Sequence, residues 1–174
     1  KSVTAQEATP YGVTFSSDGT KMYIVGTTND TVYQYTLGTA WDVSTASYAS
    51  LFKSVTAQDT TPYDVTFSSD GTKMYIMGLT NDTVYQYTLG TAWDVSTASY
   101  ASLFKSVTAQ EATPYGVTFS SDGTKMYIVG TTNDTVYQYT LGTAWDVSTA
   151  SYASLFKSVT AQEATPYGVT FSSD

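Results

Sequence analysis

The chain has 174 residues, of which 41% are apolar and 15% aromatic, so it can bury a core and is not a disordered polymer. Seven lysines face fifteen carboxylates, with no arginine or histidine, and the net charge of −8 excludes the cationic footprint that nucleic acid or an anionic membrane surface demands. Cysteine is absent and no apolar run reaches membrane-spanning length, which excludes a disulfide frame, a thiol nucleophile and a spanning helix.

A single sentence of sequence is repeated. Lys1–Phe52 recurs as Lys53–Phe104 and Lys105–Phe156, and Lys157–Asp174 begins a fourth copy. The first and third copies are identical. The second differs at five positions, where Glu7, Ala8, Gly12, Val25 and Thr27 become Asp59, Thr60, Asp64, Met77 and Leu79. A repeat of this length is one supersecondary unit that buries its apolar faces only against neighbours. The expected organisation is one tandem array: repeats 1–52, 53–104 and 105–156, and a partial repeat 157–174.

Within the first repeat, Tyr11–Ser17 reads as a strand with Val13 and Phe15 on one side, preceded by Pro10 where a missing amide proton is tolerated. Ser17-Asp18-Gly19-Thr20 is a tight turn. Lys21–Thr27 is a strand with Met22 and Ile24 on one face and Tyr23 and Val25 on the other, so both faces are apolar and the sheet is expected to lie between two others. Thr28-Asn29-Asp30 turns the chain into the strand Thr31–Leu37, with Tyr33, Tyr35 and Leu37 on one face. Gly38–Ala49 is a long connection, expected to be ordered because Trp41 anchors it. Ser50–Gln58 is the fourth strand. The fold class is therefore all-β: four-stranded antiparallel sheets on a 52-residue repeat, arranged as the blades of a β-propeller. The competing arrangement is the coils of a β-solenoid, which ordinarily have a shorter repeat and fewer Asp-Gly turns.

The run Val13-Thr-Phe-Ser-Ser-Asp-Gly-Thr-Lys-Met-Tyr-Ile-Val25 is similar to the F-S-P-D-G-x-x-(L/M)-Y-V core of bacterial propeller repeats of the YVTN, lactonase-like and NHL groups, and Asn29–Thr36 resembles the third strand of such blades. Ser17 stands where those repeats usually have proline. Trp41-Asp42 lies in a loop and does not match the dipeptide that names WD repeats. Lactonase-like propellers use carboxylate, asparagine or histidine side chains at the channel mouth. Here histidine is absent and the few carboxylates repeat by symmetry, so no enzymatic activity and no cofactor or metal are expected.

The packing and assembly positions expected from the pattern are Tyr23, Val25, Tyr75, Met77, Tyr127 and Val129. The variable positions fall near one edge of each blade and mark a candidate binding rim: Glu7, Gly12 and Thr27 in the first copy, Asp59, Asp64 and Leu79 in the second, Glu111, Gly116 and Thr131 in the third. Asn29, Asn81 and Asn133 open N-glycosylation sequons in predicted turns. The resulting expectation is a structural or adhesive propeller on a cell or virion surface or outside the cell. It would self-associate as a homo-oligomeric ring or a head-to-tail filament. The alternative is a multivalent glycan-binding propeller with one weak site per blade.

Overall fold

The computed structural model describes residues 1–172. Three sheets follow one another. The first contains β1 (Pro10–Phe15), β2 (Lys21–Gly26), β3 (Thr31–Leu37) and β4 (Ala46–Ser54). The second contains β5 (Pro62–Phe67), β6 (Lys73–Gly78), β7 (Thr83–Leu89) and β8 (Ala98–Ser106), and the third β9 (Pro114–Phe119), β10 (Lys125–Gly130), β11 (Thr135–Leu141) and β12 (Ala150–Ser158). Each is a four-stranded antiparallel meander in sequence order, the form of a propeller blade.

The turns follow from local chemistry. Asp18 Oδ1 accepts hydrogen bonds from Ser16 Oγ (2.6 Å), Thr20 N (3.0 Å) and Thr20 Oγ1 (2.8 Å), and Gly19 supplies the left-handed backbone at φ 69°. The indole of Trp41 lies over Gly19, where a β-carbon would strike the ring, and Trp41 N donates to Gly19 O at 2.9 Å. That clasp holds Trp41 itself in the left-handed region at φ 65°. Asp42 caps the short 3-10 turn Val43–Thr45 through Ser44 N. The long connection is thus ordered in every repeat, as its tryptophan implies.

The fourth strand runs Ala46–Ser54, earlier than the expected Ser50–Gln58. Ser50 sits at φ 59° and forms a bulge, so Gln34 pairs with Leu51 while Tyr35 pairs with Tyr48. Beyond Ser54 the chain folds into a turn, with Gln58 N and Asp59 N both donating to Val55 O.

Apolar faces on both sides of each sheet build the core. Tyr23, Val25 and Val32 of the first blade pack on Val65, Phe67, Met74 and Ile76 of the second. Tyr75, Met77 and Val84 of the second repeat the arrangement on Val117, Met126 and Ile128 of the third. Residues 166–171, the counterpart of β1, lie against the third blade with Phe171 at 4.3 Å from Tyr127 and Tyr167 at 4.7 Å from Tyr115 between ring centroids.

Candidate functional site

The seam between blades carries the same three features twice. Tyr23 Oη donates to Trp93 O at 2.8 Å, and Tyr75 Oη to Trp145 O at 2.8 Å. Val95 N donates to Gln34 Oε1 at 3.1 Å, and Val147 N to Gln86 Oε1 at 3.0 Å. Tyr23 stacks on Phe67 at 4.4 Å and Tyr75 on Phe119 at 4.3 Å. Gln34 and Gln86 are only 2% exposed, so this buried amide and its backbone partner are matched across the seam. Gln34 was not among the residues expected from sequence. The available signal was a glutamine held in the middle of the apolar strand Thr-Val-Tyr-Gln-Tyr-Thr-Leu in every copy.

The two outer faces are halves of this same seam. On the first blade Val13 is 55% exposed and Val43 44%, whereas their counterparts Val65 and Val95 are buried. On the third blade Tyr127, Val136 and Gln138 are half-buried, although Tyr23, Val32 and Gln34 are fully enclosed. Of the expected packing residues, Tyr23, Val25, Tyr75, Met77 and Val129 are buried, and Tyr127 lies beside the open end.

The expected rim is largely an internal structure. Glu7 and Glu111 are 0% exposed and Asp59 2%. Glu7 Oε1 accepts Thr9 N at 2.9 Å and Thr28 N at 3.0 Å, tying the entry of β1 to the turn after β2. Glu111 repeats these bonds to Thr113 N and Thr132 N, and Asp59 to Thr61 N and Thr80 N. The other oxygen of each carboxylate is buried without a partner among the described residues. Gly26 is required beneath Glu7, because a β-carbon there would meet the glutamate side chain and Thr9 O. Thr27, Leu79 and Thr131 are half-buried beside these turns.

Gly12 and Gly116 are buried, and Asp64 is half-buried. A β-carbon at Gly12 would come within 2.9 Å of Val25 Cγ1, Asp64 Cα and Tyr63 O. Gly12 pairs with Val25 across the strands, and Asp64 with Met77. These two substitutions of the second copy are therefore one change: methionine, unbranched at Cβ, leaves the room that the aspartate side chain needs. Asp64 then bridges two inner strands, accepting Val65 N at 2.9 Å through Oδ1 and Val117 N at 3.0 Å through Oδ2.

These environments give stability a definite pH profile. Hydrogen bonds from Ser16, Ser68 and Ser120, with those from the following threonines, hold Asp18, Asp70 and Asp122 at about 2 against an ordinary 3.8. Their folded-state pKa is depressed, so their contribution is present above about pH 4 and is lost as pH falls towards 2. Burial pushes Asp64 up to about 7, against the pull of its two backbone amides, and its effect has the opposite sign. The folded state holds that proton more tightly, so stability declines between about pH 4 and 7. Urea midpoints measured from pH 2 to 7 are expected to rise and then fall. Asp64→Gly should flatten the falling arm, and joint Asp18→Asn, Asp70→Asn and Asp122→Asn the rising one.

The sequon asparagines are exposed on turns. Their amide nitrogens donate within the fold, Asn29 to Gln6 O, Asn81 to Tyr85 Oη and Asn133 to Gln110 O. Among the described residues no three carboxylate, histidine or cysteine side chains converge to hold a metal, and no helix is long and apolar enough to cross a membrane.

No family model matches the chain, and no curated protein sequence is significantly similar to it. Solved structures are. A Bacteroides uniformis protein provisionally described as a 6-phosphogluconolactonase matches with a TM-score of 0.60 at 16% identity, over 86% of this chain and 42% of its own. The periplasmic gluconolactonase PpgL of Pseudomonas aeruginosa matches with a TM-score of 0.55 at 13% identity, over 82% and 37%. The β-propeller domain of Cps50 (Swd1) from Myceliophteria thermophila matches with a TM-score of 0.52 at 10% identity, over 75% and 39%. This chain thus spans about two fifths of the length of these structures. The expectation that it is not an enzyme is corrected by this finding. Structures described as lactonases share its architecture, so the fold gives no ground for excluding hydrolysis, and repeat symmetry does not either. At these identities the likeness establishes architecture: the chain is a β-propeller repeat protein whose blades are similar to those of lactonase-like and WD40 propellers.

Proposed function

We propose that the chain is a self-associating propeller segment whose copies join head to tail, third blade to first, as one tandem array continued between molecules. The observation that carries this reading is the identity of the two open faces with the two halves of the internal seam. On one copy Tyr127 Oη and Gln138 Oε1 are offered, and on the next Trp41 O and Val43 N. The corresponding groups are paired at 2.8–3.1 Å inside the chain. Such an interface is heterologous and closes into a ring when the rotation per blade allows it. A closed ring of several copies is the assembly proposed, with an open head-to-tail filament as its non-closing form. Lys157–Asp174 repeats Lys1–Asp18, so either segment can serve as the inner strand at each joint. The low charge density and the abundance of serine and threonine support a structural or adhesive role outside the cell or on a cell or virion surface.

The test is the mass of the particle by light scattering, for the natural chain and for the Val13→Asp, Val43→Asp double variant. Both positions are exposed within one chain, so the variant keeps its fold, which circular dichroism verifies. The expected result is an oligomer that the variant reduces to single chains. A natural chain that stays monomeric at high concentration, or a variant of unchanged mass, overturns the proposal; open filaments would replace the ring by its non-closing form.

A further inference from the structure

Away from the blade faces, the outer ends of the sheets form a second kind of surface. At the third blade an open cavity of about 520 Å³ is bounded by Gln110 from the connection after β8 and by Asn133, Thr135, Tyr137, Tyr152 and Phe156 of the blade. Tyr137 and Tyr152 stand edge to face at 6.0 Å, and Phe156 lies 6.4 Å from Tyr137. Phe156 is 67% exposed, and its counterparts Phe52 and Phe104 are 55% and 56% exposed. The tyrosine pair recurs with nearly the same spacing in the other two blades, and the phenylalanine contact in the first. Tyr33 is 6.1 Å from Tyr48 and 6.4 Å from Phe52, and Tyr85 is 6.2 Å from Tyr100. A large apolar ring left in water in each of three blades, beside two half-buried or buried phenols, is not explained by core packing.

The polar groups in the groove are amides and hydroxyls. Gln110 Oε1 accepts Tyr139 Oη at 2.8 Å, so the amide nitrogen of Gln110 remains as a donor. Asn133 Nδ2 donates to Gln110 O at 3.2 Å, so Asn133 Oδ1 remains as an acceptor. None of the side chains lining the cavity is charged. Neutral walls give no counter-charge to a phosphate, carboxylate or ammonium ligand, and the net charge of −8 further disfavours anions. What such a surface complements is a neutral ring with an apolar C–H face for the aromatics and hydroxyls for the amides.

We propose that each blade binds a neutral pyranose in this groove, through Phe52, Phe104 or Phe156 and the adjoining tyrosine pair, with the asparagine and glutamine amides fixing the hydroxyls. Each open groove is a weak site, and three on one chain act together on a polymer bearing repeated sugars. The grooves lie at the outer edges of the blades, so binding does not depend on association between chains.

The experiment is retention of the 174-residue chain on immobilised mannan, dextran and galactan, with phosphomannan as the anionic comparison. The Phe52→Ala, Phe104→Ala, Phe156→Ala variant is run beside it; these rings are exposed, and thermal unfolding checks that the fold is intact. The expected result is retention on at least one neutral polymer, elution by its free methyl glycoside, and at least a tenfold loss in the triple variant. Saturation-transfer NMR with that glycoside should label its ring C–H protons from aromatic resonances. Failure on all three neutral polymers, undiminished retention of the variant, or retention on phosphomannan alone overturns the proposal. None of these outcomes touches the oligomer mass, so association and sugar binding stand or fall separately.

Discussion

Tyr75→Ala is expected to destabilise the chain by about 3–5 kcal/mol, the range for deleting a large buried aromatic ring. Tyr75 is fully buried, stacks on Phe119 at 4.3 Å and closes the second seam through its bond to Trp145 O. Its loss opens a cavity between blades and leaves the partly buried Trp145 carbonyl without its donor. Tyr75→Phe separates the two contributions: it keeps the ring and removes only the hydroxyl, and should cost about 1–2 kcal/mol. Urea unfolding followed by circular dichroism measures both. Similar losses for alanine and phenylalanine would mean that the hydrogen bond, rather than the ring, holds the blades together.

The second large effect belongs to a carboxyl group inside the fold. Glu111→Ala is expected to cost about 2–4 kcal/mol, because it leaves the amides of Thr113 and Thr132 without their shared acceptor. Glu111→Gln keeps an oxygen at that place and should recover most of the loss. Its added NH2 replaces the oxygen that is buried without a partner among the described residues. Thermal unfolding of the two variants decides this. If glutamine is as damaging as alanine, the negative charge itself is required.

The strands were legible because the sequence obeys their two-residue period and because Asp-Gly turns separate them. The packing partners Tyr23 and Val25 could be read from β2 having two apolar faces. What escaped depended on groups that pattern does not distinguish. Ser50 gives no sign of a left-handed backbone, so the bulge that moves β4 to Ala46–Ser54 was not foreseen. Glu7 looks like a rim carboxylate, since charge normally marks surface. Only the three-dimensional position of Thr28 N shows that it is a buried acceptor. Gln34 was hidden for the opposite reason, a polar residue on an apolar strand whose partner, Val95 N, is 61 residues away. The expectation against catalysis reasoned from missing residue types, and architecture shared with lactonases removes its force.

Cross-linking between two single-cysteine chains tests head-to-tail association most directly, because the natural chain has no cysteine to confuse it. One chain carries Gln138→Cys and the other Val43→Cys, the two sides of the proposed joint, and a short bifunctional maleimide links thiols that approach. Docking of the third blade on the first predicts covalent dimers when the two chains are mixed and little product from either alone. Equal yields from the separate chains, or no dimer in the mixture, would contradict that interface.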